Sequence, residues 1–352
     1  MKKKKSIFVC ILILVGIYFF PINSLAQPNN VDHKSVAQLT LFPPLSTNGL
    51  NSTIYSNNLS FNTLLGFSKN ENVFAFAGLG NIVTNNFNGF QFAGLFNLVK
   101  NEGSGVSFAG LWNMNLNIHN GVQFSGLFNR AKQINGFQFS GLCNVAQDVN
   151  GVQFAGLVNK AKDVSGIQIA GLINIAANSD YPIGLINLVK NGEKGIAVSY
   201  NEIGSTNITF RSGGKVTYGI LGVGYNHKVG DNSFFASENG LWQIVNLSSF
   251  VLTSGIGAHI NISPCFRVNN EISGDVIIGD SSEPTFKIGY ALMPAFRIWH
   301  LEVFGGPNIN YMQTNNLNNS GLFSKKSIWK NHGSLKMQQI YWGFQIGIQY
   351  IL

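Results

Sequence analysis

The sequence predicts an all-β protein, and three observations carry that prediction. One short phrase recurs eight times between Asn72 and Gly192, turn-forming residues punctuate the chain every 10 to 16 residues, and almost no stretch shows the 3.6-residue period of an amphipathic helix. Gly is abundant, Asn is dense, and only 11% of residues are charged, as many short strands joined by tight corners require.

Residues 1–26 read as an export signal. Lys2 to Lys5 form a basic start, Ile7 to Phe20 an apolar run, and Ser24-Leu25-Ala26 a small-residue cleavage site. Cys10 lies near the head of the apolar run and not at its end, which argues against a lipoprotein signal. Cleavage removes four lysines and takes the formal charge from +8 to +4. The remaining cations are scattered, with one group at Lys325, Lys326, Lys330 and Lys336. No dense basic stripe with interleaved aromatics appears, so no nucleic-acid partner is expected. Cys143 and Cys265 are too few to staple the chain. Cys143 holds the place that Phe128 and Val158 take in neighbouring units and reads as a small core hydrophobe.

Residues 27–71 comprise a polar tail and two leading strands, Gln38 to Phe42 and Leu59 to Phe67. Residues 72–192 hold the eight repeat units. Their central glycines are Gly78, Gly94, Gly110, Gly126, Gly141, Gly156, Gly171 and Gly184, at intervals of 16, 16, 16, 15, 15, 15 and 13. Each unit reads as a strand continued by a shorter second segment. In Gly151 to Asn159, alternation places Val152, Phe154, Gly156 and Val158 on one face and Gln153, Ala155, Leu157 and Asn159 on the other. Further apolar pairs follow in step, such as Ala146 with Val149 and Ala161 with Val164. A glycine heads the units at Gly89, Gly105, Gly121, Gly136, Gly151 and Gly166, where a sharp corner calls for positive φ.

A unit of this size cannot fold alone, because its few large side chains do not offset the entropy of ordering it. Stacking supplies the missing hydrogen bonds and a shared core of those side chains, as in a solenoid. Stacking also sets like upon like. Asn81, Asn97, Asn113, Asn129, Asn144, Asn159, Asn174 and Asn187 are then expected to form a ladder of amides, beside a shorter column of Gln91, Gln123, Gln138, Gln153 and Gln168.

Beyond Gly192 the phrase stops, and residues 193–352 form a second, antiparallel module. Alternating strands are predicted at Lys215 to Tyr225, Ser249 to Ile262, Phe266 to Ile278, Phe286 to Ile298 and Leu301 to Met312, separated by breaks such as Gly279 to Pro284. The closing stretch, Tyr341 to Leu352, sets Trp342, Phe344, Ile346, Ile348, Tyr350 and Leu352 on one face and a Gly- and Gln-rich row on the other. That pattern matches a strand of a membrane barrel, and its length suits a bilayer. Gln313 to Lys336 suits an external loop. Arg267, Glu271 and Asp275 share one face, which suggests a polar lumen network. The alternative architecture is one large antiparallel barrel that includes the repeats. Against it stand the uniform connection lengths and the apolar pairs that seek burial.

The phrase Gly121 to Asn129, the preceding Phe42-Pro43-Pro44-Leu45-Ser46-Thr47-Asn48-Gly49, the closing Pro182 to Gly192, and the later Phe210 to Lys215 and Phe304-Gly305-Gly306-Pro307 resemble the spirochaete-type surface-repeat family of Gram-negative exported proteins. The resemblance spans Gln38 to Leu352. It implies an outer-membrane or cell-surface protein of no established activity and offers no catalytic residues. The unit at Ala75 departs from the phrase, with Ala75 where Gln usually stands, as an end cap would.

No catalytic, cofactor-binding or metal-binding set emerges from the sequence. His33, His119, His227, His259, His300 and His332 are scattered, no nucleophile elbow occurs, and Ser212-Gly213-Gly214-Lys215-Val216 lacks the spacing of a phosphate loop. Two functions follow from different classes. One is a non-enzymatic platform in the outer membrane or at the cell surface, with membrane lipid and unidentified envelope molecules as partners. The other is a passive or ligand-gated pore.

Overall fold

The computed structural model describes residues 33–228, 250–278, 283–315, 322–324, 327–333 and 336–352. The segment 1–26 read as an export signal, most of the tail, Lys325 and Lys326 fall outside these. Two β-structures make up the described chain: a solenoid of about nine turns and a closed eight-stranded antiparallel barrel.

In the solenoid, a turn consists of a long strand, a Gly-Leu corner, a short strand and a second corner. One such turn runs from Asp148–Ala155 through Gly156 and Leu157 to Val158–Lys160. Successive turns pair in parallel without slippage: Asp148 to Ala155 lie against Gln133 to Ser140, and Asn144 lies against Asn159. Parallel pairing excludes the single antiparallel barrel. The corner glycines tolerate no side chain, since a Cβ on Gly141 would sit 2.2 Å from the carbonyl oxygen of Gly126. At the second corner Gly89, Gly105, Gly136, Gly151 and Gly166 take positive φ as expected, but the Asn120-Gly121 corner places it on Asn120, at 52°.

Two expectations are corrected. The stack begins before residue 72, because Tyr55–Asn62 and Leu65–Ser68 pair in parallel with the next turn and so form a first coil. The stretch Leu59 to Phe67 is therefore two strands, bent at Thr63 and Leu64. The second correction concerns what is inside. The repeat alternation holds within the long strand, yet the interior row is Gln153, Ala155 and Asn159, all buried, while Phe154 and Leu157 are exposed. Leu157 changes sides because the corner bends the chain between Ala155 and Val158. The core expected to hold large side chains holds mainly amides, alanines and β-branched residues instead, with Ala131, Ile134, Ala146, Val149, Ala161 and Val164 packed together and Phe87 a buried aromatic clustered with Val83 and Val99. Cys143 pairs with Phe128 and Val158 in register but lies half-buried on the outer face, and both it and Cys265 are free thiols.

The barrel strands are Lys194–Asn201, Ser205–Gly213, Thr217–Asn226, Phe250–Ser263, Phe266–Ile278, Thr285–Ile298, Leu301–Thr314 and Met337–Ile351. The first two were not singled out in the sequence. The first pairs with the last to close the ring, Gly195 opposite Ile351, and Ser327–His332 adds to the upper part of the last strand. Three short connections, at 214–216, 264–265 and 299–300, share one end with the solenoid junction and the final residue, where the Leu352 amide donates to the Lys194 carbonyl. The strand ends Asn226, Phe250, Thr314 and Met337, which bound the long connections, lie at the other end.

The solenoid's last turn packs on the outward side of the barrel wall. The main-chain N–H of Asn187 donates to Ser212 Oγ at 3.0 Å, Thr217 donates to the Pro182 carbonyl at 2.8 Å, and the Gly184 and Leu185 carbonyls press on Gly219. Ser212 and Gly219 face one another across two barrel strands in the outward register. The contact covers the last open edge of the stack, and the antiparallel pair His33–Phe42 and Leu45–Ser46 flanks the first. A Gly141→Ala variant should lose about 1–3 kcal/mol by forcing two turns apart, seen as a lower melting temperature, whereas Lys162→Ala on the exposed corner should leave it unchanged.

Candidate functional site

The repeated asparagines lie at the centre of the stack. Asn97, Asn113, Asn129, Asn144, Asn159, Asn174 and Asn187 are fully buried, and Asn81 nearly so. From Asn81 to Asn174, each Nδ2 donates to the Oδ1 of the next turn's asparagine, at 2.8–3.0 Å. The same nitrogen also donates to a main-chain carbonyl of the facing strand, such as Phe154 for Asn144 at 2.7 Å. Each amide thus ties its short strand to both walls of the next turn. The last, Asn187, donates to the Ser212 carbonyl at 3.1 Å and carries the ladder into the barrel.

The glutamine column is shorter and broken. Gln168, Gln153 and Gln138 donate down to Gln123 at 2.8–3.0 Å, but Ser107 replaces the next glutamine and receives Gln91 alone. Its short side chain leaves Gln123 Nε2 and Gln91 Oε1 buried without partners.

The first coil is built differently. Gly66 holds the ladder position there, and the Asn62 side chain fills the space from the opposite strand, donating to the Phe76 carbonyl at 3.1 Å. Gln38 of the leading strand donates to Asn62 Oδ1, and Asn57 and Ser60 donate to Glu71, at 3.1 and 2.7 Å. Burial pushes the Glu71 carboxyl up to about 7, against the hydrogen bonds from Ser60 and Asn57. The fold therefore holds the Glu71 proton more tightly than the unfolded chain does.

The barrel lumen is filled with charge. Arg267, Glu271 and Asp275 all point inward as expected, yet they do not pair with each other. Arg211 meets Glu271 at 2.9 Å, Tyr218 donates to Glu271 at 2.7 Å, and Lys287 meets Asp275 at 2.8 Å. Arg267 pairs with Glu302 and makes a two-pronged contact with Glu193, which also receives Arg297 at 2.9 Å. His259 stacks on Tyr218 and donates from Nδ1 to Asn269 Oδ1, 2.8 Å away. At the end with long connections an apolar cluster of Ile203, Val251, Met312, Leu322, Phe323 and Tyr341 packs together. Eight strands enclose just enough room for such side chains. Arg211, Glu193, Glu302 and Lys287 escaped notice in the sequence, although a charge at an inward step of an alternating strand is a readable sign. Among the described residues no group of His, Cys, Asp or Glu is arranged to hold a metal ion.

Outside, the barrel wall is apolar on strand after strand. Thr285–Ile298 shows Phe286, Ile288, Tyr290, Leu292, Phe296 and Ile298 to the exterior, and Met337–Ile351 shows Trp342, Phe344, Ile346, Ile348 and Tyr350. No family model and no curated protein matches this chain. Among solved structures it is similar to one described as "De novo design of transmembrane beta-barrels", at 14% identity over 46% of this chain and 93% of that one, with a TM-score of 0.22. At that score the likeness carries no argument, and the pairing and exposure of the strands define the barrel.

Two outcomes test this site. Asn144→Ala removes the hydrogen bonds to Asn129, Asn159 and Phe154 in a dry interior and should cost about 3–6 kcal/mol, read in thermal or denaturant unfolding; a neutral result contradicts the ladder's role. Glu71 has a raised carboxyl, so its contribution to stability is fully present below about pH 4.5 and is lost as pH rises through about 7. Hydrogen exchange of the first coil should accelerate over that window, and Glu71→Gln should hold it at the acid level throughout.

Proposed function

We propose that this chain is a non-enzymatic outer-membrane protein in which the barrel is the membrane anchor and the solenoid is a rigid platform for envelope or external molecules. The observation that carries the reading is the shared inversion of polarity: a lumen of ion pairs inside a wall whose exterior is Ile, Leu, Val, Phe, Tyr and Trp. A barrel closed on itself leaves no edge unpaired, as a hydrocarbon surround demands. Export through the segment 1–26 belongs to the same reading, as does the resemblance to exported surface-repeat proteins. By the rule that short turns face the periplasm, the end of the barrel where the solenoid joins is the periplasmic one.

The pore reading fares less well. Arg211, Glu271, Tyr218, Lys287 and Tyr341 are all buried in the barrel, and Leu322 and Phe323 pack with Val251, Met312 and Tyr341, so side chains fill the described part of the lumen, as eight strands lead one to expect. Purified full-length protein in a planar bilayer should therefore give no steady conductance steps. Stable open-channel steps would favour the pore.

A further inference from the structure

The solenoid's outer surface is divided as sharply as its inside. One edge, at the corner after the short strand, carries the charges, including Lys132, Asp148, Lys162 and Asp163. The opposite, Gly-Leu edge carries none. Leu111, Leu142, Leu157 and Leu172 project from it, each 38–46% exposed. On one flank the Phe92, Phe108 and Phe124 rings stack at 4.8–4.9 Å, and on the other Phe96 stacks on Trp112 at 4.7 Å. Between the Phe column and the corner glycines runs an open trough of about 620 Å³, from Phe76 to Phe154.

We propose that this Gly-Leu edge faces the acyl chains of the bilayer that holds the barrel. Three observations favour lipid over water as its surround. Every repeat buries its amides and displays its largest apolar groups, the arrangement a hydrocarbon solvent selects. The leucine column runs on to Leu185, whose carbonyl lies on Gly219, two residues from the exposed Leu221 of the barrel wall. The edge thus continues the barrel's apolar exterior. Finally, the last turn docks on the outward side of the wall at Ser212 and Gly219, so the stack starts beside the barrel and not beneath its lumen. The charged edge then lies away from the bilayer.

The inference rests on the barrel being in membrane, and the test separates the two. Full-length protein with one tryptophan at a time is reconstituted into vesicles of phosphatidylcholine brominated on its acyl chains. The remaining tryptophans, including Trp242 outside the described residues, are changed to Phe. Trp342 reports on the barrel wall, Trp112 on the Gly-Leu edge, and Lys162→Trp on the charged edge. Trp112 and Trp342 should lose most of their emission to bromine, while the tryptophan at position 162 should stay bright and be quenched by aqueous acrylamide. Quenching of Trp342 but not Trp112 overturns the inference and leaves the membrane reading intact. Loss of quenching at both overturns both. Shielding of Trp112 from bromine and acrylamide alike, with a dimer in crosslinking, assigns the edge to a second copy and also overturns the inference. Far-ultraviolet circular dichroism matching the parent shows that each variant is folded.

Discussion

The hydrogen bond from one asparagine amide to the next is the interaction on which the molecule depends. A buried amide has two donors and an acceptor to satisfy, and a solitary one in an apolar core is costly. Repetition resolves this, because an identical group waits one turn away at the strand spacing of about 4.8 Å. The cost of dryness becomes a requirement for register. A turn that slips by one residue loses its partners above and below together, so the ladder fixes the direction, spacing and phase of the coils. The chain closes the series by handing Asn187 to Ser212 of the barrel and by letting Asn62 stand in where Gly66 has no side chain.

Once the amides occupy the interior, most of the phenylalanines and the corner leucines turn outward. The same inversion governs the barrel, where eight strands leave a lumen sized for side chains and the charged ones pair across it. Buried ion pairs are poor sources of net stability, because desolvation offsets attraction. Arg211 with Glu271, and Arg267 with Glu193 and Glu302, join parts of the barrel far apart in sequence.

Much of this was legible in the residues. The interval of 15 and 16 revealed the stack, the recurrence of Asn129, Asn144 and Asn159 pointed to a ladder, and the closing strand from Tyr341 displayed its apolar side openly. The outward placement of Phe154 and Leu157 was not legible. Alternation states which residues share a face but not which face is interior, and the corner at Gly156 breaks the count. The first coil was hidden because its amide comes from a different strand, a substitution that exists only in three dimensions. The first two barrel strands could have been read from Ile196, Val198 and Tyr200 alternating with Ala197, Ser199 and Asn201. The lumen pairs were out of reach, since nothing local links Arg211 to Glu271.

The central claim is that successive units are parallel coils held in step by buried amides. It is tested most directly by electron-spin distance measurements on the full chain, with labels at cysteines placed in the outward Phe column. Pairs at positions 139 and 154, 124 and 154, and 108 and 154 lie one, two and three turns apart. The account predicts separations that rise in equal steps of about 4.8 Å per turn. Separations that alternate with strand direction, or that fail to grow with the number of intervening units, would contradict it.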